Sequence, residues 1–95
     1  MNNKTVTISI GNCDNKLTQE EWSTFVFWVK NEIESKHAIV HFFGGSASWD
    51  RFQNVTWVIE MREDSLQTLK DTLISIRKHY KQDSVAWTEG TTLFI

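Results

Sequence analysis

The chain of 95 residues contains no proline, one cysteine, one tyrosine and only four glycines. It shows no internal repeat, no low-complexity tract and no linker, so residues 1–95 are read as a single domain, the size one hydrophobic core supports. Cys13 stands alone, which excludes an intrachain disulfide and points to a reducing compartment. No apolar run approaches the length of a membrane span, and Met1-Asn2-Asn3-Lys4 is not followed by the apolar core of a signal peptide. The expectation is a soluble, cytoplasmic protein with no membrane partner. Positive charge is also not in excess, with 10 Lys and Arg against 12 Asp and Glu. A protein that grips duplex nucleic acid needs a basic face to displace counterions, so duplex binding is disfavoured. The one basic cluster, Arg77, Lys78, His79 and Lys81, falls at the end of a predicted helix, where cations complement the dipole.

What the chain has in abundance is aromatic surface: five Trp and six Phe. A small domain needs large side chains to fill its core, but five indoles exceed what a core of this size readily hides. Some of them are expected to face a ligand or a partner.

Along the chain, Thr5 to Ile10 alternates strictly, with Val6, Ile8 and Ile10 on one face of a half-buried strand. Thr18-Gln19-Glu20-Glu21 is a capping box flanked by Leu17 and Trp22 at the staple positions. The helix it opens carries Trp22, Phe25, Val26, Val29 and Ile33 on one stripe. Phe27 lies nearly opposite that stripe and Trp28 on its flank, which marks them as an interface. Residues 38–43 are apolar almost throughout, as in a strand covered on both faces or bordering a partner. Val55 to Met61 alternates again. Asp64 is the expected cap of a second helix, with Gln67 reciprocating and Leu66, Leu69, Leu73, Ile76 and Tyr80 inward. Val85 to Thr88 reads as a fourth strand, and Glu89-Gly90 as a tight turn into a terminal strand over 91–94.

The order β-α-β-β-α-β predicts an α+β, ferredoxin-like domain: an antiparallel sheet of order 4-1-3-2 with both helices on one face. Three connections, Gly11–Leu17, Gly44–Asn54 and Lys81–Ser84, then meet at one end of the sheet. They carry the candidate ligand-binding residues Asn12, Asp14, Lys16, Ser46, Trp49, Arg51, Gln53, Asn54 and Asp83. Amides, charges of both signs and an aromatic at one rim suit a small polar ligand. Trp49 offers a stacking surface, Arg51 a partner for phosphate or carboxylate, and the Gly44-Gly45-Ser46 turn a set of N–H donors for an anion. The bland reading is that loops are polar because they are solvated, and that Asn and Asp favour turns for local reasons.

Chemistry is thinly represented. His37, His41 and His79 show no metal-ligand spacing with Cys13, and Asn12-Cys13-Asp14 lacks the glycine and distal glutamate of a calcium loop. There is no phosphate-binding loop, dinucleotide fingerprint or nucleophile elbow. No cofactor, no metal and no catalysis are expected.

The run Ile10-Gly11-Asn12-Cys13-Asp14-Asn15-Lys16-Leu17-Thr18-Gln19-Glu20-Glu21-Trp22 resembles a signature of small bacteriophage and bacterial proteins. Phe52-Gln53-Asn54-Val55-Thr56-Trp57 and Gln82-Asp83-Ser84-Val85-Ala86-Trp87 are similar to later parts of the same pattern, with Phe52 where a tryptophan is expected. The resemblance implies a viral origin. By analogy with small phage proteins lacking catalytic residues, it implies action on host defences by sequestering a nucleotide-derived signal or blocking a host protein.

Three functions follow as expectations. The first is a homo-oligomeric module holding a nucleotide-like ligand at the rim. The second is an inhibitor that docks a host protein on Phe27, Trp28 and the open sheet face. The third is a single-stranded RNA binder, ranked last because the chain lacks the sequence signature and charge of such modules.

Overall fold

A computed structural model of the chain describes residues 3–12, 16–46, 53–91, 93 and 95. It comprises β1 (Asn3–Gly11), α1 (Gln19–Ser35), β2 (Ile39–Gly45), β3 (Asn54–Arg62), α2 (Leu66–His79) and β4 (Ala86–Gly90), with a 3-10 turn over Glu63–Ser65 before α2. The strands form one antiparallel sheet in the order β2-β3-β1-β4, which is 4-1-3-2 read from the other edge. The arrangement is α+β and ferredoxin-like.

The alternation in β1 and β3 decides which face is covered. Val6 stands opposite Ile59 and Ile8 opposite Trp57, so the two central strands present one continuous apolar band. Against it α1 lays Trp22, Phe25, Val29 and Ile33, and α2 lays Leu66, Leu69 and Leu73. Trp57 and Phe25 are the largest fully buried side chains, and burying each such residue contributes about 1.5–3 kcal/mol. Tyr80, at the end of α2, closes over Phe25 with ring centroids 5.1 Å apart.

The start of α1 is as the sequence requires. The Glu21 amide donates to Thr18 Oγ1 at 3.1 Å, and the Thr18 amide donates to Glu21 Oε1 at 2.9 Å. The start of α2 differs from expectation. Asp64 does not cap it; its carboxylate takes Arg62 at 2.9 Å, and the chain enters α2 through the 3-10 turn. Gln67 turns to Asp71 on the helix surface instead of reciprocating a cap. The expected Glu89-Gly90 turn is also corrected. Glu89 pairs with Val6 and Gly90 with Thr5, and no described glycine has the positive φ a tight turn would need. β1 begins at Asn3, early enough to offer β4 partners through Gly90, so the strand continues straight. Thr91, Leu93 and Ile95 belong to no strand, and Thr92 and Phe94 lie outside the described residues.

Both helices end on a non-glycine residue in the left-handed region, His37 (φ 57°) and Lys81 (φ 56°). At α2 the motif is a complete Schellman cap: the Lys81 amide donates to Lys78 O at 3.1 Å and the Gln82 amide to Arg77 O at 3.0 Å. A side chain in this backbone region is sterically costly. Lys81→Gly is therefore expected to stabilise the fold by about 0.5–1 kcal/mol, and His37→Gly similarly. Urea unfolding measures it; a lower midpoint in both variants would show that the side chains, not the caps, carry stability here.

Candidate functional site

The end of the sheet where β1 stops and β3 begins is organised by one buried side chain. Asn12, 2% exposed, donates through its amide to Leu17 O and to Gln53 Oε1, each at 3.1 Å, and accepts from the Leu17 amide at 3.1 Å. Its backbone amide donates to Gln53 O at 2.8 Å. Gln53, also buried, passes the connection on by donating from Nε2 to Gln19 Oε1 at 2.7 Å in the first turn of α1. An amide chain Asn12–Gln53–Gln19 thus locks the β1–α1 connection to the entry of β3. Asn12 and Gln53 were expected as ligand contacts; these bonds give them the role of positioning the loops around them. Gln19 was not singled out in the sequence, because a glutamine in a first helical turn carries no signal of its own.

The α2–β4 connection joins the same rim. Lys16 Nζ lies 3.6 Å from Asp83 Oδ2, an exposed pair that links the first loop to the third. The Schellman cap buries Gln82, whose Nε2 donates to Tyr80 O at 3.1 Å. Arg77 turns back from α2 and donates to Gln82 O at 3.0 Å and Asp83 O at 3.3 Å. Sequence reasoning gave Arg77 only a dipole role; it also fixes this connection. Between these residues and the end of β1 lies a cleft of about 380 Å³, lined by Ser9, Gly11, Gln82, Asp83, Ser84 and Ala86, among others.

On the far side of the rim, Gly44 and Gly45 are paired strand residues opposite Thr56 and Val55. The Ser46 amide donates to Asn54 O at 2.9 Å, and the Asn54 amide donates to Ser46 Oγ at 2.8 Å. The proposed Gly44-Gly45-Ser46 anion turn is therefore replaced by strand pairing, with its last N–H directed at Asn54. A side chain at Gly45 would strike the Asn54 carbonyl, so this close approach requires glycine. Asp14, Trp49 and Arg51 lie outside the described residues, as do Cys13, Ser48 and Asp50.

Among the described tryptophans, Trp22 and Trp57 are buried and Trp87 half-buried, whereas Trp28 is 45% exposed. Phe27, 57% exposed, meets Trp28 edge-on with centroids 5.5 Å apart. Trp28 also borders a groove between the helices with Ile76, His79 and Tyr80. A further apolar groove between α2 and β4 is lined by Leu73, Ile74, Val85 and Trp87 and flanked by Lys70 and Arg77. Glu89 there accepts from Trp87 Nε1 at 2.9 Å and pairs with Lys70 at 3.1 Å. The open sheet face carries Thr7 and Ser9 on β1 and Thr56 and Val58 on β3, so its two central strands offer hydroxyls where a base-stacking module offers aromatics. His41 sits at a bulge in β2, with Nε2 3.1 Å from Glu60 Oε1.

No protein-family model matches the chain, and no curated protein does. Among solved structures, a de novo designed protein, Foldit4, superposes with a TM-score of 0.68 at 17% identity, over 97% of this chain and 100% of that one. A dimeric ferredoxin-like protein from an uncultured marine organism is 10% identical with a TM-score of 0.49, over 100% of this chain and 93% of that one. The designed protein establishes the fold and nothing about ligands. Among the described residues no group of three His, Cys, Asp or Glu side chains could hold a metal ion, and no helix is long and apolar enough to cross a membrane.

Asn12→Ala removes the side-chain partner of both the Leu17 amide and the Leu17 carbonyl, and one partner of Gln53 Oε1, in a buried setting, so it should cost about 2–3 kcal/mol. Asn12→Asp should cost at least as much, because a carboxylate cannot donate to Leu17 O or Gln53 Oε1. Chemical denaturation checks both, and a loss below about 0.5 kcal/mol would deny Asn12 its organising role.

Backbone and side-chain bonds from Thr18 hold Glu21 below the usual carboxylate range; Asn3 and then His41 do so for Glu60, and Trp87 and then Lys70 for Glu89. Depressed carboxylates favour the fold above their ordinary pKa, and that contribution is lost as pH falls through the lowered folded values. Stability should therefore decline on acidification below the ordinary carboxylate range. Glu60→Gln should flatten the decline, and thermal melts between pH 7 and pH 2, a range of about five units spanning both states, measure it.

Proposed function

We propose that this chain is a non-enzymatic binding protein whose loop rim takes a small anionic, nucleotide-like ligand. The observation that supports the reading most is the preorganised rim. Three connections are tied together by the Asn12–Gln53–Gln19 amide chain and the Lys16–Asp83 pair, beside a cleft of about 380 Å³. That volume falls within the range of small-molecule sites. Asn12, Gln53, Ser46 and Asn54 serve as the scaffold, while Asp83 and Ser84 line the cleft and Lys16 pairs with Asp83 beside it. Asp14, Trp49 and Arg51 are the groups proposed to complete it, with Trp49 stacking on a planar ring and Arg51 bonding a phosphate or carboxylate.

The resemblance to phage proteins supports reading such capture as action in an infected host's cytoplasm, where sequestering a nucleotide-derived signal would blunt a defence response. A host protein docked on Phe27 and Trp28 is the second reading, favoured by the exposure of these two rings side by side. Self-association into a homo-oligomer is part of the proposal in either case.

Calorimetric titration with a panel running from mononucleotides to cyclic dinucleotides tests the rim. Arg51→Ala and Trp49→Ala are expected to leave the melting temperature unchanged. Each should lower affinity ten- to hundredfold, about 1.5–3 kcal/mol for loss of a charge-assisted contact. If no nucleotide binds, or if both variants bind as the parent does, the rim is not the site. The Phe27–Trp28 surface then becomes the one to probe with host proteins.

A further inference from the structure

The two edges of the sheet are built differently, and the difference points to a partner. β4 is five residues long, and its Glu89 is an inward-facing carboxylate held by Lys70. Short strands and inward charges are the devices that keep an edge from pairing. β2 spans seven residues, and from Ala38 to Gly45 there is no Lys, Arg, Asp, Glu or Pro. Its one protective device is the bulge at His41, and regular pairing with β3 resumes after it from Phe42 to Gly45.

The register shows how the strand's side chains divide. Val40 and Phe43 stand opposite Ile59 and Trp57, on the face that carries the helices; Ile39 and Phe42 stand opposite Glu60 and Val58, on the open face. All four are strongly exposed, at 55% for Ile39, 42% for Val40, 53% for Phe42 and 48% for Phe43. The helices therefore do not shield β2 even on their own side. From α1, Lys30 Nζ lies over the Phe43 ring, 5.9 Å from its centroid.

From these observations we infer that β2 pairs antiparallel with β2 of a second copy, about a two-fold axis, joining two four-stranded sheets into one. A strand laid against this edge must be apolar on both faces to match it. Among the described strands only β2 is, since β1 and β3 alternate and β4 carries Glu89. A strand without Lys, Arg, Asp or Glu also meets its own copy without those like charges opposed. Pairing of β2 with the β4 edge of another copy would instead be head-to-tail, giving a ring or an open filament, and the short β4 disfavours it; the β2–β2 contact closes on itself.

The area is consistent with a dimer. Four side chains left about half outside expose on the order of 300–400 Å² per copy, taking about 150–250 Å² for a large ring. Doubled, and with the backbone edges added, the contact reaches about 1,000 Å², where specific interfaces begin. The inference does not depend on the rim binding a ligand.

Light scattering on the full chain at about 50 μM, well above the dissociation constant of a weak but specific pair, should return twice the 11.1 kDa chain mass. Phe42→Lys should return the single mass, and Phe27→Lys should keep the doubled one. If Phe42→Lys does not fold, Ile39→Lys takes its place. The parent's melting temperature should also rise with protein concentration, and its β2 amides should lose hydrogen-exchange protection on dilution. A parent that stays at 11.1 kDa, whatever other protein it captures, overturns the inference. So does a doubled mass that survives a folded β2 variant or is abolished by Phe27→Lys.

Discussion

Val6 opposite Ile59 and Ile8 opposite Trp57 make an apolar band across the two central strands, and removing that band from water is the constraint to which every other element answers. A sheet with one apolar face needs one covering layer, and α1 and α2 supply it from the same side. Because side chains alternate along a strand, covering one face commits the other to solvent. That is why Thr7, Ser9 and Thr56 form a hydroxyl-rich surface behind a core of Trp, Phe, Ile and Leu. β2 escapes this division. It is apolar on both sides, at a position where neither side is fully covered.

The rim follows from the same packing. With β1 and β3 fixed in antiparallel register, Gly11 faces Asn54, and the chain just beyond each strand must find partners for its backbone without a further ladder. Asn12 meets that need for Leu17 and, with Gln53, passes the connection on to the first turn of α1. On the other side of β1, the Schellman cap and Arg77 perform the same task for the α2–β4 connection. Buried, fully bonded amides of this kind rigidify a rim. Exposed ion pairs such as Lys16 with Asp83, where the lysine is about half and the aspartate almost wholly in solvent, add little to stability and stay exchangeable. A rigid base carrying exchangeable charges is a suitable frame for a ligand of the proposed class.

The local signals in the chain were strong enough to determine much of this. Strict alternation in 5–10 and 55–61, the helical stripes, the Thr18–Glu21 capping box and the absence of any long linker define the element order and the composition of the core. The crossover rule then leaves one compact antiparallel arrangement, and it places the three connections at one end. These features depend on neighbours one to four residues apart, which a sequence displays directly.

Tertiary structure decided what depends on groups distant in sequence. Asn12 reads as a loop amide in the sequence, and only the arrival of Gln53, 41 residues later, makes it a buried hub. Asp64 has the chemistry of a helix cap, but Arg62 competes for its carboxylate once the strand preceding it is in place. Glu89-Gly90 has turn-forming residues, but the length of β1 gives them ladder partners that outweigh the local preference. The β2 run is visibly apolar in sequence, but its register and its half-exposed faces appear only when the helices have taken their places and left it bare. In each case the sequence supplied the residue's capacity, and the fold, by choosing its partner, determined its use.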